Sequence, residues 1–171
     1  CFLYPGQGSQ NIGMAKDFYD NFSSTRATFE EASDHTHLDL RKLCFDGPLD
    51  TLTLTENLQP ALLTVCTAIT RVLASETALK AQYVAGHSAG EYAALVAAGV
   101  LDFGDAVKLI RARGLAMQTA VPSGKGAMAA IVNATAAMIE PLCREVSSAY
   151  LADNLDSPFV AIANYNNPQQ I

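Results

Sequence analysis

The sequence predicts an α/β fold in which helices cover a parallel sheet. Two short apolar runs, residues 1–4 and 83–85, each lead into a glycine-rich loop, as buried parallel strands often do. Longer segments with helical periodicity follow each run, so strands and helices alternate along the chain. Half of the 171 residues are apolar, which is enough for a packed core. In such sheets, functional sites lie at the carboxyl ends of the strands.

The first half of the chain predicts a strand, a loop and two helices. Residues 1–4 form a buried strand that delivers its carboxyl end into the glycine loop of residues 5–10, and a helix follows over residues 14–22. Pro60 fits the first turn of a long, largely buried helix over residues 61–73. The polar side chains of Asn57 and Gln59 are then expected just before that helix.

The next stretch predicts a strand, a tight turn and two more helices. A strand at residues 83–85 is followed by a glycine-bounded turn and by an alanine-rich helix over residues 91–98, which Gly99 ends. Asp102 is placed to cap a further helix that runs to about Ala120, before Pro122 and Gly124 interrupt it.

A second unit is expected after a boundary near residues 122–126. Its pattern predicts a strand at residues 128–132, a helix at 136–148 and a strand at 159–163, which is a β-α-β arrangement. The domains are therefore predicted to be residues 1–125 and 126–171.

Composition excludes several classes of function. Seventeen acidic and eleven basic residues give a net charge of -6, without the basic patch that nucleic-acid binding requires. The four cysteines lack the spacing of a zinc site and do not indicate disulfides, so the reducing cytoplasm is the expected location. No stretch of about 18 uninterrupted apolar residues predicts a membrane span.

The pentapeptide of residues 86–90, Gly-His-Ser-Ala-Gly, has the form of a nucleophile elbow. A serine in a sharp turn between strand and helix needs neighbours without bulk, so Ser88 is the predicted nucleophile. The alternative is a glycine-rich turn that matches by chance.

The Ala89 amide, at a helix N-terminus, and the Gln7 amide, at the same sheet edge, are candidate donors to an oxyanion. A phosphate-binding role for the Gln7 loop is less well supported, because the glycine spacing of nucleotide motifs is missing.

Arg113 is the charged residue whose position in the sequence says most about a possible ligand. On a helical wheel of residues 103–120, it lies at the edge of an apolar arc that includes Ile110, Gly114 and Met117, with Lys108 and Arg111 on the opposite side. A guanidinium on such an arc keeps its proton and needs an anion, for which a carboxylate is geometrically suited. That partner is either an acidic side chain of the protein or a substrate carboxylate.

Four motifs carry a resemblance to a known family: Tyr4-Pro5-Gly6-Gln7-Gly8-Ser9-Gln10, Gln59-Pro60-Ala61, Gly86-His87-Ser88-Ala89-Gly90-Glu91-Tyr92 and Arg111-Ala112-Arg113-Gly114. In this order they resemble malonyl-CoA:acyl carrier protein transacylase, also found as acyltransferase domains of fatty-acid and polyketide synthases. The resemblance implies an α/β-hydrolase-like large subdomain and, after residue 126, the start of a small ferredoxin-like subdomain. It also implies a longer protein, whose catalytic histidine lies in a later segment.

The roles that the resemblance implies fall on residues already singled out. Ser88 is expected to be the nucleophile, the amides of Gln7 and Ala89 the oxyanion hole, and Arg113 the ligand of the acyl carboxylate. Gln59, His87 and Met117 are expected to line the substrate pocket. The implied partners are malonyl-CoA and acyl carrier protein, with coenzyme A as part of the substrate and no bound cofactor or metal.

Two other functions remain open from the sequence. A serine hydrolase or thioesterase would use the same elbow with water as acceptor. A non-catalytic fragment or interaction domain would keep the elbow without a general base. None of the three histidines, His35, His37 and His87, is well placed in the sequence to be that base.

Overall fold

The computed structural model describes residues 1–121, 124–152 and 159–171. Within these ranges the chain divides into two compact units, Cys1–Lys125 and Gly126–Ile171. The elements in chain order are β1 (Phe2–Tyr4), α1 (Lys16–Asn21), α2 (Ser23–Thr36), α3 (Leu40–Phe45), α4 (Leu49–Thr53), α5 (Thr55–Glu76), β2 (Val84–Gly86), α6 (Gly90–Ala97), α7 (Phe103–Ala120) and α8 (Ala136–Ala152). The first unit is therefore a set of helices packed over a small parallel sheet.

The two strands of this sheet lie side by side and run in the same direction. Tyr4 pairs with Gly86, and the N–H of His87 extends the ladder by donating to the Tyr4 carbonyl at 3.0 Å. The glycine loop after β1 and the turn after β2 therefore meet at one sheet edge, as the sequence predicts. The prediction that β1 is a buried strand holds for Tyr4, which is 7% exposed, but is wrong for Leu3, which is 76% exposed. Alternate side chains of a strand point to opposite faces, and within the part of the chain that the structure describes, helices cover the face that holds Tyr4 and leave Leu3 exposed.

Helix α5 is the central core helix, and it begins earlier than predicted. It spans Thr55–Glu76, so Asn57, Gln59 and Pro60 lie inside its first two turns and are buried. The helix continues through Pro60 because a proline removes only one N–H from the backbone hydrogen-bond ladder near a helix start. Among the described residues, this helix alone has the length and mean hydropathy of a membrane span, and 67% of that stretch is buried inside the protein.

Helices α6 and α7 follow the predicted bounds closely. The Asp102 carboxylate caps α7 and accepts a hydrogen bond from the Gly104 N–H at 2.9 Å, which confirms the predicted cap. The apolar arc of α7 is also confirmed at Ile110 and Gly114, which are buried against the core. Pro122, predicted to interrupt the helix, lies outside the described residues.

Two side chains of α7 depart from the helical-wheel prediction. Met117 is 42% exposed: it lies beyond Gly114, the last buried residue of α7, although its Sδ still contacts the Gln59 side chain of α5. Arg111, expected on the opposite side, reaches back to α5 and hydrogen bonds to Asn57 at 3.1 Å. A long, flexible arginine stem lets the guanidinium lie far from the direction of its own Cα.

The second unit contains the predicted helix but not the predicted strands. Helix α8 covers the segment predicted as residues 136–148. Within the described residues of this unit, the apolar runs at 128–132 and 159–163 form no strand, and Phe159 is 85% exposed. Instead, Ile131 and Ile171 exchange backbone hydrogen bonds of 2.8 and 3.0 Å, and Val132 bridges Gln170 in antiparallel fashion. An apolar run becomes a strand only where another strand satisfies its backbone groups.

Candidate active site

Ser88 lies in a sharp turn between β2 and α6. Its φ is +52°, in the left-handed region that residues with a side chain adopt at an energetic cost. The turn is closed by hydrogen bonds from the Gly90 N–H to the His87 carbonyl at 2.9 Å and from the Glu91 N–H to the Ser88 carbonyl at 3.1 Å. The hydroxyl of Ser88 is exposed as a result, which is the geometry of a nucleophile elbow.

The two glycines that flank the elbow are required by close backbone approach. A Cβ on Gly86 would lie 2.0 Å from the Gly90 carbonyl oxygen, and one on Gly90 would lie 2.3 Å from the Tyr4 carbonyl oxygen. No larger side chain fits at either position unless the backbone moves. The strained conformation of Ser88 is therefore held by tight packing between β1, β2 and the start of α6.

Arg113 on α7 reaches the Ser88 hydroxyl. Its Nη2 donates to Ser88 Oγ at 3.1 Å, and its Nη1 donates to Gln59 Oε1 at 2.6 Å. An arginine carries only donors, so the Gln59 amide must turn its oxygen toward Arg113. The guanidinium is thereby fixed between a buried amide on α5 and the predicted nucleophile.

Gln59 links Arg113 to the glycine loop. Its side chain is fully buried, with a relative exposure of 0%. Its Nε2 donates to Gln7 Oε1 and to Met117 Sδ, each at 3.2 Å. Gln7 Nε2 in turn lies 3.4 Å from Thr55 Oγ1. A continuous chain of polar contacts thus runs from Thr55 to Ser88, and it joins most of the residues that the sequence singled out.

Thr55 is the one residue in this series of polar contacts that the sequence analysis did not predict. It is the first residue of α5, whereas the sequence predicted a helix starting after Pro60. The signal available was the spacing from Thr55 to Gln59, which places the two side chains on one face once both lie in the same helix.

Arg113 has no acidic partner within the described residues. The four ion pairs found there join Lys16 to Asp20, Arg71 to Glu31, Lys108 to Asp105 and Arg144 to Glu140. The contacts of Arg113 are instead with a neutral amide and a hydroxyl. The guanidinium therefore keeps its positive charge uncompensated next to Ser88, where an anionic ligand is able to bind.

The two backbone amides predicted as oxyanion donors lie at the same sheet edge. In the described part of the chain, the hydrogen bonds that close the elbow use the N–H groups of Gly90, Glu91 and Tyr92, not that of Ala89. In the glycine loop, the Gly8 N–H donates to the Gln10 side chain at 2.8 Å. This internal bond occupies a donor that a phosphate-binding loop would need.

The histidines contact other parts of the first unit. His87 is exposed, and its Nδ1 lies close to the backbone of Gly6. His35 packs against Gly104 in the first turn of α7, nine residues before Arg113, which is about 13 Å along a helix. His37 ends α2 in a left-handed conformation.

Comparison with known proteins identifies the family. A family model described as the acyl transferase domain matches residues 1–170, nearly the whole chain. The chain belongs to the acyl transferase domain family. The four sequence motifs and the elbow geometry are thus features of an acyl transferase domain.

Named relatives agree with this assignment. A malonyl CoA-acyl carrier protein transacylase of Bacillus subtilis is 48% identical over 170 residues, covering 99% of this chain and 41% of that protein. The crystal structure of malonyl-CoA:acyl carrier protein transacylase from Xanthomonas oryzae pv. oryzae matches with a TM-score of 0.88 at 41% identity, over 99% of this chain and 51% of its own. A structure of a type II PKS acyl-carrier protein in complex with its malonyl-transacylase matches with a TM-score of 0.85 at 42% identity, over 99% and 52%. The chain spans about half the length of these relatives.

The two buried thiols of this acyl transferase domain, Cys44 and Cys66, do not compete with Ser88 as nucleophiles. Burial raises the pKa of Cys44 to about 12 and that of Cys66 to about 11, so both stay protonated at neutral pH. Within residues 1–121, 124–152 and 159–171, no group of His, Cys, Asp and Glu side chains is arranged to hold a metal ion.

Proposed function

We propose that this chain supplies the nucleophile and the carboxylate-binding pocket of a malonyl-CoA:acyl carrier protein transacylase. The observation that carries the proposal is the 3.1 Å contact between Arg113 Nη2 and Ser88 Oγ, made by a guanidinium without an acidic partner in the described ranges. A free cation beside a serine nucleophile suits an acyl group that carries its own carboxylate. Malonyl is such a group.

The proposed reaction proceeds in two exchanges through an acyl-serine. Ser88 Oγ attacks the thioester carbonyl of malonyl-CoA, the C–S bond breaks, and coenzyme A leaves as its thiol with the serine proton. The phosphopantetheine thiol of the carrier protein then attacks the ester, and its proton returns to Ser88. By family resemblance, the base that moves this proton is a histidine outside these residues. Coenzyme A takes part as substrate and not as a bound cofactor.

Two backbone amides are proposed to stabilise the tetrahedral intermediate. The Ala89 N–H at the start of α6 and the Gln7 N–H in the glycine loop both belong to the edge where β1 and β2 end. Donors held by a rigid sheet need no rearrangement as negative charge develops on the oxygen. Each such donor typically lowers the activation barrier by about 2.7–4 kcal/mol.

The substrate carboxylate is proposed to bind Arg113 within a pocket that Gln59, Met117 and His87 line. Gln59 fixes one arm of the guanidinium through its 2.6 Å hydrogen bond, so the fork is oriented before substrate arrives. Preorganisation of this kind lowers the cost of binding. Met117 supplies a polarizable surface beside the Gln59 amide.

The domain assignments belong to the same proposal. Residues 1–125 would form the N-terminal part of an α/β-hydrolase-like core, an assignment supported by the parallel pairing of β1 with β2 and by the elbow after β2. Residues 126–171 would begin a ferredoxin-like subdomain, for which α8 and the antiparallel Val132 to Gln170 bridge are the supporting features.

Acyl carrier protein is the proposed macromolecular partner. The support is the relative described as a malonyl-transacylase in complex with a type II PKS acyl-carrier protein. A cytoplasmic location is proposed as well, because all four cysteines are free and thiols persist in reducing compartments.

The test is the intact mass of the protein in its natural full length after brief exposure to malonyl-CoA or acetyl-CoA. We expect a malonyl adduct that is absent from Ser88→Ala and much weaker with acetyl-CoA. Steady release of free malonate without an adduct would favour a hydrolase. The lack of both adduct and turnover would favour a non-catalytic relative and would overturn the proposal.

A further inference from the structure

Pro60 leaves one carbonyl of α5 without its helical partner. In an α-helix the carbonyl of residue i accepts from the N–H of residue i+4, so the Glu56 carbonyl would pair with residue 60. Proline has no N–H, and the ladder is interrupted at this point. The start of α5 is weak in a second way, since its N-cap residue, Leu54, provides no side-chain hydrogen bond.

Arg111 on α7 supplies the missing donor. Its Nη1 donates to the Glu56 carbonyl oxygen and also to Asn57 Oδ1, the latter at 3.1 Å. Asn57 is buried, and its Nδ2 donates to the Thr51 carbonyl at 2.9 Å, so the hydrogen bonds of Arg111 extend to helix α4. A single guanidinium from another helix therefore replaces the hydrogen bond that Pro60 removes and ties down the first turn of α5.

The same turn carries the amide that orients Arg113. Gln59 directly precedes Pro60, and its Oε1 accepts from Arg113 Nη1 at 2.6 Å. On a helical wheel, Gly114 falls between Arg111 and Arg113, and a Cβ on Gly114 would lie 2.8 Å from the Glu56 Cα. The two arginines thus hold α5 from either side of its closest approach to α7.

We propose that Arg111 is a positioning residue for carboxylate recognition. By satisfying the Glu56 carbonyl, it holds the first two turns of α5 so that the Gln59 amide stays in line with Arg113. Arg111 itself touches neither Ser88 nor the acyl group. The inference rests on the proposed function, since it names a residue that tunes the Arg113 site.

A selective effect separates this role from a merely structural one. If Arg111 is lost, the carbonyl of the half-buried residue Glu56 turns toward water, and Gln59 moves with it. The guanidinium of Arg113 then loses its hydrogen bond to Gln59 and is no longer held in one orientation, which weakens binding of a substrate carboxylate. An acetyl group carries no carboxylate and does not use the fork, so its transfer is spared. General damage to the fold would reduce both reactions alike.

The first experiment compares acyl-serine formation from malonyl-CoA and acetyl-CoA in the full-length Arg111→Ala variant. We expect kcat/KM for malonyl-CoA to fall about tenfold, while that for acetyl-CoA changes by less than about threefold. Arg111→Lys keeps a donor and should recover part of the loss. The matched control is Lys108→Ala, one turn earlier on the exposed face of α7, which should change neither reaction.

Equal losses for the two substrates, or no loss for malonyl-CoA, would overturn the role of Arg111. The parent protein reports separately on the proposed function. If it forms no malonyl adduct, the proposed function fails. If it forms the adduct while Arg111→Ala behaves like the parent, only the present inference fails.

The second experiment restores the missing backbone donor. Pro60→Ala returns an N–H to position 60, so the Glu56 carbonyl regains a partner within α5. In that background, Arg111→Ala should reduce malonyl-CoA kcat/KM by less than about threefold instead of about tenfold. The same fold-loss in both backgrounds would refute the idea that Arg111 acts through the carbonyl left open by Pro60.

Discussion

Replacing Arg113 by alanine tests which part of the substrate the site recognises. In the structure the guanidinium makes two hydrogen bonds, to Gln59 Oε1 and to Ser88 Oγ, and meets no carboxylate among the described residues. A bound malonyl group would place its carboxylate against this fork. An acetyl group would leave the fork as it is. The variant should therefore affect the two thioesters unequally.

The size of the effect follows from the hydrogen bonds at stake. Hydrogen bonds that involve a charged group are worth about 1.5–3 kcal/mol. Because Arg113 is only partly buried, solvent screens its charge, and the lower part of that range is appropriate. We expect kcat/KM for malonyl-CoA to fall about 10- to 40-fold in Arg113→Ala. For acetyl-CoA, the change should stay within about threefold.

The assay measures single-turnover formation of the acyl-serine. The adduct is detected by intact mass, for each thioester over a range of concentrations. Arg113→Lys serves as the matched variant, because it keeps the charge but loses the planar fork, and it should fall between the parent protein and alanine. Arg113 also touches Ser88 Oγ, so a general effect on the nucleophile is the competing explanation. An equal loss for both thioesters would establish that explanation and refute carboxylate recognition.

Three further predictions concern stability. Asp102→Ala removes the cap of α7 and should lower the free energy of unfolding by about 1 kcal/mol in urea titrations, whereas Asp105→Ala, on the exposed side of the same turn, should change it by only a few tenths. Gly90→Ala would force a Cβ to within 2.3 Å of the Tyr4 carbonyl oxygen, so a large drop in the melting temperature is expected in circular dichroism. Above its ordinary pKa of 9.0, the Cys44 thiol ionises in the unfolded chain but keeps its proton in the folded chain up to about pH 12. The free energy of unfolding should therefore fall as pH rises through this window, and less steeply in Cys44→Ala.

The elbow was predictable because its determinants are local. The sequence around Ser88 contains the strand, the two glycines and the following helix within a few residues, and the structure has the same order. The meeting of the elbow with the Gln7 loop followed from a general rule, since carboxyl ends of parallel strands share an edge. Arg113 was predictable as a partly buried cation but its contacts were not, because they depend on where α5 begins.

The errors arose where the outcome depends on distant partners. Apolar runs at residues 128–132 and 159–163 have the composition of strands, yet a strand also needs a neighbour that composition does not specify. Arg111 was placed on the far side of α7 by the direction of its Cα, and a long side chain overrode that direction. The early start of α5 is missed because prolines usually lie in the first turn of a helix, which suggests a start near Pro60. Here Pro60 lies in the second turn, and Arg111 donates the hydrogen bond that the Glu56 carbonyl would otherwise lack.

Backbone strain at Ser88 differs in its surroundings from the other positive φ values of the described chain. Four non-glycine residues there have positive φ: Ala15, His37, Ser88 and Asn133. His37 is the C-cap of α2, where one left-handed residue satisfies the end of the helix, and asparagine tolerates this region well. Ala15 is the N-cap of α1 and bears no reactive group. Ser88 has neither explanation, because it precedes the cap of α6 and has an ordinary side chain. Its conformation is instead imposed by backbone contacts at Gly86 and Gly90 that no other residue would permit, and the strain sets the hydroxyl against Arg113. Strain that serves no helix end, and that directs a reactive group toward a free cation, supports the proposed role of Ser88 as nucleophile.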